Sequence, residues 1–146
     1  MRIVIQRVKE AEVKVSGQVI GKIGRGILIF LAVGHEDNRQ HADYLVKKIS
    51  ELRIFEDAQG KMNISAQEAG AQYLVVSQFT LYGNCDKGRR PSFDEAAAPL
   101  QGEELYNYFV ARLKALNAQV ATGQFRAMMD VSLINDGPVT FIIDSK

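Results

Sequence analysis

Cysteine is nearly absent from this sequence. Cys85 is the only one, so no intrachain disulfide can staple the fold, and a reducing compartment suits the chain. Its neighbours are Gly, Asn and Asp, which reads as an incidental loop thiol. Histidine is almost as scarce: His35 sits beside Glu36-Asp37 and His41 on a predicted helix, with no Cys/His spacing of a zinc site. The familiar catalytic signatures are missing too. There is no Gly-x-Ser-x-Gly elbow, Walker sequence or Gly-x-Gly-x-x-Gly fingerprint, and Gly24-x-Gly26 alone is a turn. Long apolar runs are lacking. The opening Met1-Arg2-Ile3-Val4-Ile5-Gln6-Arg7 is too short for a signal-peptide core, and nothing later approaches a transmembrane span. A cytoplasmic protein with no membrane association is therefore expected. No charge of one sign predominates, since 18 Lys and Arg face 17 Asp and Glu. Near-neutrality leaves nucleic acid open, because a local basic patch suffices to bind phosphates.

What is present is 146 residues with 47% hydrophobic and 24% charged content, enough to bury one core and so to make a single domain over residues 1–146. Residues 1–9, 11–16 and 18–23 read as three short strands with Ile3/Ile5 and Val13/Val15 alternating, an antiparallel meander with a turn at Gly17. Ile27 to Val33 is apolar almost throughout, which predicts a central strand covered on both faces. Asp37 or Asn38 can cap a helix over 39–52 with Ala42, Leu45, Val46, Ile49 and Leu52 on one face. Ser65 with Glu68 has the spacing of a capping box over one short helical turn. Residues 72–82 predict a second long strand, and Pro99 suits the first turn of a helix reaching about Leu116. The pattern specifies an α+β domain: a mostly antiparallel, barrel-like β-sheet with two main helices and no internal repeat.

Three stretches carry chemistry. Asn135-Asp136-Gly137-Pro138-Val139-Thr140 places Gly-Pro between two apolar strand-like runs. A hairpin turn is the plain reading. The proline, however, gives no N–H to a ladder, makes Gly137-Pro138 the foremost cis candidate of the chain, and follows a glycine whose backbone another molecule can approach closely. Ser77-Gln78-Phe79-Thr80 puts polar groups at the end of an otherwise apolar strand, where they either satisfy local backbone or face a cavity. In the second case Thr80 is a candidate nucleophile and Ser77 or Gln78 an oxyanion donor, although no base lies nearby in sequence. Lys87-Gly88-Arg89-Arg90-Pro91-Ser92-Phe93 has the cations, glycine and aromatic of a phosphate-contacting loop, or of a merely solvated one.

Together, and in this order, these three stretches resemble the bacterial D-aminoacyl-tRNA deacylase family. The similarity extends from Ile5-Gln6-Arg7-Val8 through Arg53-Ile54-Phe55 and Gly60-Lys61-Met62-Asn63 to the last strand. It implies a cytoplasmic homodimer that hydrolyses the ester between a D-amino acid and the terminal adenosine of tRNA, with no metal or other cofactor. It assigns Ser77, Gln78, Phe79 and Thr80 to the catalytic wall, and Gly137-Pro138, braced by Arg7, to a chiral filter that enters the partner's pocket as a cis pair. Met62, Asn135, Val139 and Thr140 fall to the substrate pocket, and Lys87, Arg89 and Arg90 to tRNA, with Lys47, Lys48 and Lys61 as further phosphate contacts.

Such an inventory makes chemical sense, because an aminoacyl ester is already activated and carries a neighbouring ribose hydroxyl. Positioning water and stabilising an oxyanion then suffice, without a strong protein base. A filter that excludes L side chains cannot exclude glycine, so glycyl-tRNA is an expected second substrate. Two other readings remain: a non-catalytic nucleic-acid-binding β domain that uses the 87–90 loop, and a metal-dependent hydrolase that uses His35, Glu36 and Asp37.

Overall fold

The computed structural model describes residues 1–146. Its strands are β1 (Arg2–Val15), β2 (Gln18–Ile23), β3 (Gly26–Ala32), β4 (Phe55–Glu56), β5 (Met62–Ile64), β6 (Gln72–Ser77), β7 (Val120–Thr122) and β8 (Asp130–Asp144). Two helices, α1 (Arg39–Glu51) and α2 (Pro99–Lys114), and a 3₁₀ turn at Phe79–Tyr82 complete the chain. The main sheet runs β2-β1-β3-β6-β7, with β8 on the other edge of β1.

The expected first two strands are one. β1 passes unbroken through Lys9-Glu10, and there its alternation slips by one residue. Ile3 and Ile5 point to the helices, whereas Val8, Ala11 and Val13 point into a second, smaller core. The cause is a bulge: Val8 pairs with Asn135 and Glu10 with Ile134, so Lys9 has no opposite number on β8. One long strand can thus serve two cores.

β3 is buried on both faces, as its sequence predicts. Ile27, Ile29 and Leu31 meet the helix side, and Leu28 enters the smaller core with Leu74 and Val76. Its partners are mixed rather than wholly antiparallel. β3 runs antiparallel to β1 but parallel to β6, and β6 runs parallel to β7. The crossovers through α1 and α2 make parallel pairing possible, and local sequence patterning carries no signal of direction. The sheet curls almost shut, because a Cβ on Gly21 of β2 would lie 2.4 Å from the Thr122 carbonyl oxygen of β7.

The helices follow their sequence signals closely. The Asn38 side chain accepts from the Gln40 N–H at 2.9 Å, while the Asn38 N–H donates to His41 Nδ1 at 3.2 Å, so histidine takes the place usual for Glu in a capping box. Ala42, Leu45, Val46 and Ile49 are buried. Pro99 opens α2, whose Leu105, Phe109 and Leu113 face the same core. Ser65 and Glu68 form their reciprocal cap: the Ser65 N–H donates to Glu68 Oε2 at 2.8 Å and the Glu68 N–H to Ser65 Oγ at 3.2 Å. No helix is long and apolar enough to cross a membrane.

Among the glycines, Gly26 leaves the least room for a side chain: an added Cβ would stand 2.0 Å from the Gln72 carbonyl oxygen. Gly26→Ala must push β3 and β6 apart and is expected to cost at least about 2 kcal/mol, read as a lowered urea midpoint. Gly60→Ala meets no atom within 4 Å at φ +74°, and its cost should be limited to backbone strain of about 1 kcal/mol.

Candidate functional site

β6 ends where β3 ends. Ser77 pairs with Leu31, and the Gln78 N–H donates to the Leu31 carbonyl at 2.8 Å, after which no neighbour remains to extend the ladder. The chain therefore tightens into the 3₁₀ turn instead of continuing to Tyr82 as a strand, closed by N–H donation from Leu81 to the Gln78 carbonyl at 3.2 Å. Gln78 Nε2 donates to Thr80 Oγ1. Phe79 is left 57% exposed, its ring 5.0 Å from that of Phe93 at an interplanar angle of 61°.

This turn borders an open cleft of about 680 Å³. Ser77, Gln78 and Phe79 form one side, Phe93 and the start of α2 another, and Phe125 to Met129 the third. Fourteen of its 19 lining residues are hydrophobic, and Arg126 is the only charged one. Tyr106 is the other titratable group on the walls. Its hydroxyl donates to the Val75 carbonyl at 2.9 Å, and burial pushes its phenol up to about 12. It is therefore a spent structural hydroxyl. No lining side chain has the chemistry of a general base at neutral pH.

The second predicted feature departs from the expected hairpin. Both flanks of the Gly-Pro pair hydrogen-bond to the same strand in the same sense: Asn135 stands opposite Val8, and Thr140 opposite Gln6. β8 thus continues through the feature, and Asp136 to Val139 bow out opposite Arg7 alone. The Gly137–Pro138 peptide bond is cis and both residues are exposed.

Arg7 holds the bow. The residue is only 4% exposed. Its Nε donates to the Asp136 carbonyl at 3.2 Å and lies 3.0 Å from the Asp136 carboxylate, and Nη1 donates to the Ile54 carbonyl at 2.5 Å. Asn135 Nδ2 donates to the carbonyls of Arg7 at 3.0 Å and Val139 at 3.2 Å. Val139 is buried in the main core, while exposed Thr140 accepts from Gln6 Nε2 at 3.2 Å. Met62, exposed on β5, pairs with Glu56, whose carboxylate is 3.6 Å from Arg7 Nη2. Met62 consequently belongs to the Gly-Pro side of the molecule and does not line the cleft.

One chain does not unite the two halves. Between the bow on β8 and Ser77 on β6 lie β1 and β3, and three strand spacings amount to about 14 Å. Residues 135–140 contribute nothing to the cleft wall. The basic loop, by contrast, is attached to it. Reciprocal bonds between Asn84 and Ser92 at 2.9 and 3.0 Å close the neck of the loop, and Phe93 at its base packs on Phe79. Lys87, Arg89 and Arg90 are exposed and enter none of the ion pairs of the chain. Lys47, Lys48 and Lys61 are exposed as well.

His35, Glu36 and Asp37 of the metal reading do not gather into a group that could hold a metal ion, and Asp37 has structural employment. Asp37 accepts from the Gly34 N–H at 2.6 Å and from the terminal amino group, and lies 3.0 Å from His41 Nδ1. Sequence reasoning passed over Phe125, Arg126, Met128 and Met129, which form the far wall of the cleft. Their only sequence signal is a cluster of aromatic and methionine side chains without strand or helix period.

Comparison with known proteins agrees with this architecture. The family model described as D-Tyr-tRNA(Tyr) deacylase matches residues 4–144. The D-aminoacyl-tRNA deacylase of Symbiobacterium thermophilum is 56% identical over all of this chain and 97% of its own length. That of Desulfatibacillum aliphaticivorans is 57% identical over the whole of both chains. Among solved structures, the c-Myc DNA Unwinding Element Binding Protein superposes with a TM-score of 0.93 at 39% identity, covering 100% of this chain and 99% of the other. A probable eukaryotic D-amino acid tRNA deacylase has the same fold, with a TM-score of 0.85 at 19% identity and 98% coverage of both chains. With its family model matched almost end to end and relatives of more than half identity along the full length, the chain belongs to the D-aminoacyl-tRNA deacylase family.

Proposed function

We propose that this protein is a cytoplasmic homodimer that hydrolyses the ester of D-aminoacyl-tRNA, cleaves glycyl-tRNA as well, and rejects L-aminoacyl esters with the backbone at Gly137-Pro138. One observation carries the chemical part of this reading: an apolar cleft large enough for a nucleoside is lined by Ser77, Gln78 and Phe79 and has no side chain free to act as a general base. That inventory suits an ester whose own ribose supplies the assisting hydroxyl. The terminal nucleoside fills the apolar space, Ser77 and Gln78 orient the carbonyl, and water attacks with help from the ribose.

The bond from Gln78 to Thr80 argues in the same direction. An amide N–H donated to Thr80 Oγ1 withdraws electron density from that oxygen, the reverse of what a base does to a nucleophile. Thr80, exposed in the turn and just outside the cleft lining, keeps its own proton to donate. The separation of the two halves supports the dimer, because the exposed bow of one chain can face the cleft of another without crossing its own sheet. The bow is anchored by Arg7 and Asn135, so its carbonyls form a stiff wall. D and L substrates differ only in the direction of their side chains, and a stiff wall can exclude one direction. The exposed cations of the 84–92 loop, joined to the cleft through Phe93, suit the tRNA phosphates.

A second reading has one observation of its own, the name of the 39% identical structural relative, which refers to DNA binding. Under it, the chain binds nucleic acid without turnover. Incubation with D-tyrosyl-tRNA separates the two: release of D-tyrosine with L-tyrosyl-tRNA left intact supports the enzyme, and binding without release supports the module.

Thr80→Val removes one hydrogen-bond donor, so single-turnover hydrolysis of D-tyrosyl-tRNA should slow by about five- to tenfold. Complete loss in a folded protein would restore the covalent scheme. Gly137→Ala places a methyl group 3.0 Å from Asn135 Oδ1 at the proposed wall. The ratio of D to L hydrolysis should fall further than the D rate itself, while the wild-type protein should cleave glycyl-tRNA. Resistance of glycyl-tRNA under those conditions would contradict exclusion as the filter. Charge reversal at Arg89 and Arg90 should weaken tRNA binding and flatten its dependence on log salt by about 0.7 to 0.9 for each phosphate no longer neutralised. An unchanged slope would remove the loop from the interface.

A further inference from the structure

We infer that Arg126 holds the 5′-phosphate of the nucleotide whose ribose carries the ester. The inference rests on the placement of the terminal nucleoside in the cleft, and it identifies what the cleft recognises beyond the nucleoside. Three features of Arg126 lead to it. It is the only charged side chain on the cleft wall. It is exposed and, like Arg25, Arg53, Arg89 and Arg90, enters none of the ion pairs of the chain, whereas the buried Arg7, the half-buried Arg2 and the exposed Arg39 and Arg112 are paired with carboxylates; of the five unpaired arginines it alone lines the cleft. Its backbone has φ +61°, the left-handed region that favours glycine and penalises a long L side chain. A residue that occupies a costly backbone position without any internal partner is a candidate for external duty.

Position within the cleft then selects the ligand. Ser77, Gln78 and Phe79 occupy one wall, and Arg126 belongs to the wall formed by Phe125 to Met129. A nucleotide esterified on its ribose carries the acyl group and the 5′-phosphate on different carbons of the sugar, so the two can meet different walls. With the ester at Ser77 and the base among the apolar side chains, the phosphate emerges toward solvent, where an unpaired guanidinium offers paired N–H donors to its oxygens. The same interaction distinguishes a nucleotide at a chain end from a free nucleoside ester. It is also separate from the basic loop, whose cations lie outside the cleft.

The test uses a stable amide analogue of the ester, 3′-deoxy-3′-(D-tyrosylamino)adenosine, with and without a 5′-phosphate, titrated into the full-length wild-type, R126G and R126K proteins. In the wild type the phosphate should tighten binding about tenfold, and the gap should narrow as salt rises. R126G should erase the gap while binding the unphosphorylated form normally. Because glycine suits the left-handed backbone, its thermal midpoint should equal or exceed that of the wild type, so misfolding cannot imitate the result. R126K should retain part of the gap through its point charge. A phosphate gap of the same size in R126G and wild type, or no gap in the wild type, overturns the inference. If neither form binds any of the proteins, the nucleoside placement fails and this inference with it. Hydrolysis of D-tyrosyl-tRNA, assayed separately, decides the reaction itself.

Discussion

The two-sided pairing of β1 is the constraint from which the rest of the molecule follows. Its first half holds β3 on one edge and the end of β8 on the other, and its second half exchanges β3 for β2 while keeping β8. Arg7 lies near the changeover, where the register is interrupted. A buried guanidinium is costly unless its donors are satisfied, and this one is satisfied only if β4, β1 and the β8 bow converge on it. The need to pair one cation therefore ties together elements that no continuous ladder joins. The exposed Gly137-Pro138 backbone is consequently the outer surface of a well-anchored bow.

The opposite end of the sheet has another character. There the ladder runs out of partners at Ser77, and the resulting turn, the base of the basic loop and the Phe125 to Met129 segment enclose an apolar space. Such walls contribute shape and desolvation, with few charges. In the proposed reaction the substrate brings the reactive functionality, and the protein contributes orientation and a small number of hydrogen bonds. Tyr106 belongs to that picture, because the one hydroxylated aromatic on the walls spends its proton on the Val75 carbonyl.

Legibility in the sequence tracked the range of the interactions involved. α1 and α2 were readable nearly to the residue, since capping at Asn38, Pro99 at the first turn and the 3.6-residue spacing of Leu45, Ile49, Leu105, Phe109 and Leu113 are local signals. The burial of β3 on both faces was equally plain. The passage of β1 through Lys9-Glu10 was not, because the bulge is visible only when β8 lies alongside. Nor was the continuation of β8 through Gly137-Pro138, which looks like a reversal until both flanks are seen on the same strand. Ser77 to Thr80 stood out as polar residues ending an apolar run, yet the reason the strand stops is that β3 stops beside it. Arg126 carried no local signal at all, since its significance lies in being the sole charge on a wall assembled from distant segments.

By itself the sequence determined the α+β class, the two helices, the central apolar strand and the motif set that resembles the deacylase family, because these depend on periodicity, caps and short patterns that a linear chain displays in full. The tertiary structure decided the parallel pairing of β3 with β6, the bow opposite Arg7, the far wall of the cleft and the distance between the two halves of the candidate site. Those depend on which segments meet across the fold, and a hydrogen-bond ladder or cavity wall exists only after long-range partners have been chosen.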